Sequence, residues 1–422
     1  MNRLILAACL ATALGAASAA EITVSSVVQN PVTRHVTVSY SLADGPAIVT
    51  FEVTTNGVSA GADKARFAYG DVYRKVSGDG SHSFTWPLAD AWPDAPALES
   101  MAVVVKAWSL DAPPPYMVLD LIGNYGIAFY PAEGAMPYPV GNMLYKTSSM
   151  VFRKMPASGV TWTMGDDRST ARTRHRVAFQ HDYYIGIYPV TLQQYSLVAN
   201  MTSYPPAQAL GNTELAKAYQ GDISDYGRTR PVVGPSFKYY LRGSVTTASY
   251  NWPTGRNVSS AMFMQKMRDR FPLTFDLPTS AQWEYACRAG RGTDFNDGSS
   301  SSGADVGWFD GNNAEDPDWV EGLPHAVGLK KPNAWGLYDM HGNVFEMTLD
   351  RNTTLAPSAD PATAVTDPEG STTESGDNRQ IRGGSFLSGA SDYPAGSFAS
   401  IDAGTQRIDL GFRLAAPASL NN

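Results

Sequence analysis

Alternation with a period of two dominates the first quarter of the chain. His35-Val36-Thr37-Val38-Ser39-Tyr40 switches between polar and apolar at each step. Val49-Thr50-Phe51-Glu52-Val53 does the same, and Ile22-Thr23-Val24 and Met101-Ala102-Val103-Val104-Val105 follow more loosely. Such runs predict half-buried strands, because successive side chains of a strand point to opposite faces. Turn clusters, Ala43-Asp44-Gly45 and Ser77-Gly78-Asp79-Gly80, separate them. Short strands at this spacing predict an immunoglobulin-like or fibronectin-like β-sandwich over residues 21–109. It lacks the Cys–Trp–Cys pattern of a true immunoglobulin domain. Asp111-Ala112-Pro113-Pro114-Pro115 predicts a stiff linker, within a connector over residues 110–150.

From Val151 the pattern changes and a few helical periods emerge. Thr191 with Gln194 three residues on is a capping box that opens a helix through Ala199. A second helix is predicted over Ser259 to Arg270. Thr279 with Gln282 repeats the capping box, for a helix from Ser280 to Ala289 that Gly290 ends. Trp283, Ala286 and Cys287 fall at i, i+3 and i+4 of that helix and mark its buried face. Residues 353–378, rich in Thr, Ser, Ala, Pro, Asp and Gly, predict a surface loop. At the other end, Arg3, the apolar run from Leu4 to Gly15 and Ala17-Ser18-Ala19 have the order of a signal peptide, cleaved near residue 20. The mature protein is then expected in a periplasmic, cell-surface or secreted location.

Composition narrows the function classes. The net charge of −8 argues against nucleic acid as a partner, since phosphate binding needs a basic footprint. No stretch after the leader is apolar enough to span a membrane. Of two cysteines, Cys9 and Cys287, cleavage removes the first, so the mature chain has one thiol and no internal disulfide. Its stability rests on its core.

Motifs in the second part resemble those of the formylglycine-generating enzyme, or sulfatase-modifying factor, family. Leu277-Pro278-Thr279-Ser280-Ala281-Gln282-Trp283-Glu284-Tyr285-Ala286 is similar to the family's LPTEAEWEYA signature. Asn333-Ala334-Trp335-Gly336-Leu337-Tyr338-Asp339-Met340-His341-Gly342-Asn343-Val344-Phe345-Glu346 resembles its NxxGLYDMxGNVWEW block. Arg382-Gly383-Gly384-Ser385 and Gly411-Phe412-Arg413 match its closing motifs, and Met164-Gly165 and Tyr188-Pro189-Val190-Thr191 its opening ones. The resemblance covers residues 151–417. It implies an α+β, C-type-lectin-like domain, here preceded by the all-β sandwich.

What the resemblance implies chemically is mixed. Family members that oxidise a sulfatase cysteine to formylglycine hold copper(I) on two cysteines just after RGGS. The matching positions here are Ser388 and Tyr393. Neither can replace a thiolate on that soft ion, so copper-dependent oxidation is not expected. The family's calcium loop is retained: Asp339 and Glu346 offer carboxylates, with the carbonyls of Gly342 and Val344 between them, and these suit a hard cation. The alternative is a tight turn with Glu346 in an internal ion pair. A second calcium position of the family has no clear counterpart, Asn313 alone being suggestive. Cys287 reads as a small buried hydrophobe, and His175 and His341 as structural hydrogen-bonding residues. Asn343, Glu346, Arg382 and Arg413 read as locks on irregular backbone. The leading expectation is a non-catalytic binding module for a peptide, a glycan or a cell-surface partner. An oxidoreductase with a non-standard site is one alternative. A retroelement-diversified receptor, variable between RGG and GFR, is the other.

Overall fold

The computed structural model describes residues 20–65, 67–96, 100–122, 126–166, 174–200, 224–243, 258–351, 363–368 and 377–419. The expected signal peptide lies outside the described residues, except for Ala20. The chain divides into two compact units. The first takes in the described residues of Met1–Asn142, with Arg270–Pro272 and a short C-terminal piece from Ala418; the second spans Met143–Asp269 and Leu273–Pro417.

The first unit has two antiparallel sheets. One orders β1 (Glu21–Gln29), β2 (His35–Ala43), β7 (Gly80–Pro87) and β5 (Tyr69–Gly70) side by side. The other is built on β3 (Ala47–Thr55), which pairs with β4 (Val58–Ser59), β6 (Arg74–Val76) and β8 (Met101–Ser109). The alternation read from the sequence sets the inner faces: Val36, Val38, Tyr40 and Leu42 of β2 are buried, as are Met101, Val103 and Val105 of β8. Phe51 packs on Phe84 and edge-on to Trp86, which is fully buried. A short helix, α1 (Leu88–Ala91), follows β7. The connector is not featureless: β9 (Tyr116–Asp120) and β10 (Ile127–Tyr130) form an antiparallel hairpin with Met117 and Leu119 buried.

The second unit is sheet-rich with few helices. β11 (Ser149–Met155), β14 (Tyr183–Gly186) and β20 (Ala415–Pro417) pair in that order. β12 (Thr161–Met164) pairs with β13 (His175–Ala178), and β13 pairs in parallel with β16 (Val365–Thr366). β16 falls inside the loop expected at 353–378; most of the remainder lies outside the described residues. The last sheet orders β18 (Phe398–Asp402), β17 (Asn378–Arg382), β15 (Phe345–Arg351) and β19 (Leu410–Gly411).

Its α-helices among the described residues are α2 (Leu192–Ala199), α3 (Asp225–Arg228), α4 (Phe263–Arg270) and α5 (Ser280–Arg288), beside one π-helical turn, Phe237–Leu241. Both capping boxes are present, Thr191 with Gln194 and Thr279 with Gln282. Two boundaries differ from expectation. α4 starts at Phe263, because Ser259 accepts from Met262 in a turn instead of opening a helix. α5 ends one residue early, with Ala289 itself left-handed at φ 48° ahead of Gly290 at φ 81°. Between α5 and β15, among the described residues, regular structure is limited to one 3-10 turn, Asn313–Glu315. Buried backbone there needs other hydrogen-bond partners, and side chains supply them.

Candidate functional site

Asn333 opens the irregular block by organising it from within. Its Oδ1 accepts from the backbone N–H groups of Trp335 and Leu337, and its Nδ2 donates to the carbonyls of Ala286 and Cys287. One amide thereby shapes a loop and ties it to the last turn of α5. Arg382 acts from the other end of that helix. It donates to Ser280 Oγ at 2.7 Å, to Glu284 Oε2 at 3.0 Å and to the carbonyls of Ala395 and Ser397.

From Asp339 to Glu346, the glycine block, the chain turns sharply through three left-handed residues, Asp339 (φ 53°), Gly342 (φ 70°) and Asn343 (φ 60°). A Cβ on Gly342 would meet the Trp308 carbonyl oxygen at 2.3 Å, so this position needs glycine on both counts. Asn343 clasps His325 by accepting its N–H at 2.9 Å and donating to its carbonyl at 3.1 Å. Glu346 is fully buried and accepts from Trp283 Nε1 at 2.7 Å and from Nε and Nη2 of Arg413, at 2.6 and 2.7 Å. Arg413 also donates to the carbonyls of Gly186, Tyr338 and Asp339. These residues lock irregular backbone, as their types suggested.

Asp339 is less completely served. Its Oδ2 accepts from Gly328 N–H at 2.7 Å, while its buried Oδ1 has no hydrogen-bond donor among the described residues. Burial pushes its carboxyl up to about 6, against the pull of that bond, Arg413 and Lys146. Lys146, itself buried, donates to the Val327 carbonyl at 2.9 Å and sits over the Tyr188 ring. Arg413 and Lys146 already offset the two carboxylates, so charge balance alone does not demand a metal ion. The orphaned oxygen is a different matter, since a buried acceptor left unmade costs about 1–3 kcal/mol. Asp339 Oδ1, the Gly342 and Val344 carbonyls and Glu346 are oxygen donors of the hard type that calcium takes, while Glu346 already stands in an internal ion pair with Arg413, the tight-turn alternative.

The positions that carry copper-binding cysteines elsewhere hold oxygen chemistry here. Ser388 Oγ accepts from Ser385 N–H at 3.1 Å and lies 3.2 Å from Ser385 Oγ, which donates to Asp409 Oδ2 at 3.0 Å. Arg407 grips Asp409 through two bonds and covers the Phe345 ring, with its centre 5.3 Å away. Tyr393 meets the other side of this group, edge-on to Phe345 at 4.8 Å. Leu387 is 53% exposed beside them. The sequence offered no sign of Lys146, Arg407 or Asp409, because none belongs to a local motif.

Cys287 is fully buried, 3.4 Å from His341 Nε2, and burial pushes its thiol far above the ordinary range. His341 accepts the Asn296 N–H on that same nitrogen, and burial pulls the ring down to about 4. Asn313 is spent on two neighbours, His325 Nε2 and the Phe386 carbonyl, each at 2.9 Å.

The model of the sulfatase-modifying factor enzyme 1-like domain matches residues 155–418, more than half of the chain. The chain belongs to the sulfatase-modifying factor family. With the family comes the C-type-lectin-like fold, and its domain accounts for the second unit. The sulfatase-modifying factor domain is also similar to a curated relative, the chaperone protein LppX of Paenibacillus barcinonensis. The two are 29% identical over 176 residues, 39% of this chain and 61% of that relative's length. Among solved structures, Treponema denticola variable protein 1 is 22% identical, covering 66% of this chain and 97% of that one at a TM-score of 0.45. PvdO from Pseudomonas aeruginosa is 20% identical, covering 63% and 94% at a TM-score of 0.43. Among the described residues, no helix is long and apolar enough to cross a membrane.

Proposed function

We propose that this sulfatase-modifying factor domain is an exported binding module without copper-dependent oxidase activity. It recognises a peptide, a glycan or a surface partner through the segment from Ser385 to Asp409. The replacement of both copper-ligand positions by Ser388 and Tyr393 carries this reading. The half-buried Tyr393, the exposed Leu387 and the part-exposed Arg407 guanidinium offer apolar and polar groups of the kind that binding hot spots use. Arg407 is held by Asp409 before any partner arrives, which lowers the ordering cost of binding. The first unit is read as an immunoglobulin-like or fibronectin-like spacer. Calcium held by Asp339, Glu346 and the carbonyls of Gly342 and Val344 would stiffen the block behind the segment.

The test has two arms. The mature protein, loaded with copper(I) and given a cysteine-containing peptide, should form no aldehyde by mass spectrometry. On glycan and peptide arrays, features bound by the wild type should lose at least tenfold in signal with Leu387→Ala/Arg407→Ala. Turnover of the peptide, or array binding indifferent to the double variant, overturns the reading.

A further inference from the structure

Both ring nitrogens of His325 face oxygen. Nδ1 lies 2.9 Å from Asp316 Oδ2 and Nε2 lies 2.9 Å from Asn313 Oδ1. Turning the Asn313 amide round does not help, because its Nδ2 already donates to the Phe386 carbonyl at 2.9 Å. The turned amide would set one carbonyl oxygen against another. A neutral imidazole has a single N–H, so either amide orientation leaves two lone pairs face to face at hydrogen-bond distance. One further proton on the Asp316–His325 pair removes the conflict. Nδ1–H then serves the carboxylate, Nε2–H serves Asn313, and Asn313 serves Phe386.

The stacked aromatic rings suit a cation on His325, and two nearby basic side chains resist one. Trp308 is stacked on it at 4.0 Å and 11°, and Trp319 lies nearly parallel at 5.7 Å. The Tyr226 hydroxyl from α3 also donates to Asp316. Opposed to these are Arg230, which sits over the Tyr226 ring, and Lys330, which sits over Trp308 and pairs with Glu315. Asn343 fixes the His325 backbone from the glycine block.

We infer that Asn313, His325, Asp316 and Tyr226 form a proton-operated latch on the segment that begins at Ser385. With the extra proton in place, Asn313 holds the Phe386 carbonyl. Without it, the ionised Asp316 keeps the one ring N–H on Nδ1, so the conflict falls on Asn313, which must turn or let go, and the backbone next to Leu387 and Ser388 loses that tether. The latch therefore closes as pH falls. Burial, Arg230 and Lys330 pull the imidazole down to about 4 while Asp316 pulls it back up. Closure falls on the acid side of an ordinary histidine, whose midpoint is about 6.5. The latch is a property of the loop and holds whatever the segment binds, so its test is separate from the array experiment.

The mature protein, labelled with 15N at histidine, asparagine and leucine, is titrated by NMR between pH 3.5 and 8 (roughly the span that covers an ordinary and a depressed histidine). Two ring N–H signals of His325 are expected at the acid end. The Asn313 side-chain amide and the Leu387 backbone amide should move with the same midpoint as the ring. Asn313→Asp still accepts from His325 but cannot donate to Phe386. It should raise the His325 midpoint by about one unit or more, and Leu387 should no longer follow. Asp316→Asn, which removes the carboxylate, should lower the midpoint. A single neutral tautomer across the whole range, or a Leu387 signal that ignores the ring in the wild type, overturns the latch.

Discussion

Glu346 and Arg413 are 67 residues apart in sequence and meet in the interior with neither side chain more than 1% exposed. Such a pair adds little over a well-packed apolar pair, yet breaking it leaves an uncompensated buried charge, at a cost of about 3–5 kcal/mol. Glu346→Gln is therefore expected to lower stability on that scale in urea unfolding, and a loss under about 1 kcal/mol would mean that Arg413 finds another partner. Calcium gives a second signature. If it binds the native state only, a hundredfold excess over its dissociation constant adds about 2.7 kcal/mol, so chelator should lower the wild-type melting temperature. The variant should respond little to chelator. Equal wild-type melting with and without chelator, and no calcium on elemental analysis, reduces the block to a turn. The residue types of this lock were legible because they sit in short motifs. Lys146 was not, since it reaches Val327 from 181 residues away and nothing local announces it.

Helix α5 shows what sequence reads well at the scale of an element and where it slips. Thr279 and Gln282 form their capping box because both partners lie within one turn. The C-terminal end slipped by one residue: glycine favours the left-handed cap, but here Ala289 adopts it ahead of Gly290. A left-handed L-residue costs roughly 1–2 kcal/mol, so Ala289→Gly should raise the melting temperature of the second unit, by about 2–4 °C. An unchanged or lower value would show that the buried Cβ of Ala289 contributes more by packing than it costs in strain.

The N-terminal end of α5 hides a different device. Asp350 of β15 accepts from Ser280 N–H at 2.6 Å, and burial raises its carboxyl to about 6 despite that bond and two nearby arginines, Arg382 and Arg379. A carboxyl raised in the folded state contributes most below its unfolded value of 3.8 and loses that contribution as pH climbs through about 6. Asp350→Asn keeps the acceptor and removes the titration. The variant should therefore gain on the wild type between about pH 4 and pH 7, by about 2 kcal/mol in urea unfolding. A constant difference across that window would place the raised titration elsewhere.

At the scale of the whole molecule, each of the two units has its own core, and the period-two pattern foretold the first far better than any pattern foretold the second. Strands with one wet face write their burial into every other residue. The second unit satisfies its backbone through Asn333, Asn343, Arg382 and Arg413, and contacts of that kind leave no period behind. Only the resemblance of motifs made its fold legible. Separate cores predict separable unfolding. Trp86 is fully buried in the first unit, and Trp86→Ala should cost about 3–5 kcal/mol there. Calorimetry should show one transition falling while the transition of the second unit stays in place. A single transition that moves as a whole would mean that the units melt together.

The burial of Cys287 has a practical side. If the expected cleavage near residue 20 removes Cys9, Cys287 is the one thiol left, and it is sealed from solvent with its thiol held protonated. A maleimide dye should leave the folded wild type unlabelled and mark it only after denaturation, since the thiolate is the reactive form. A cysteine introduced at the exposed Leu387 would then stand alone as a reporter, placing a fluorophore or spin label beside the Phe386 tether without any background to subtract.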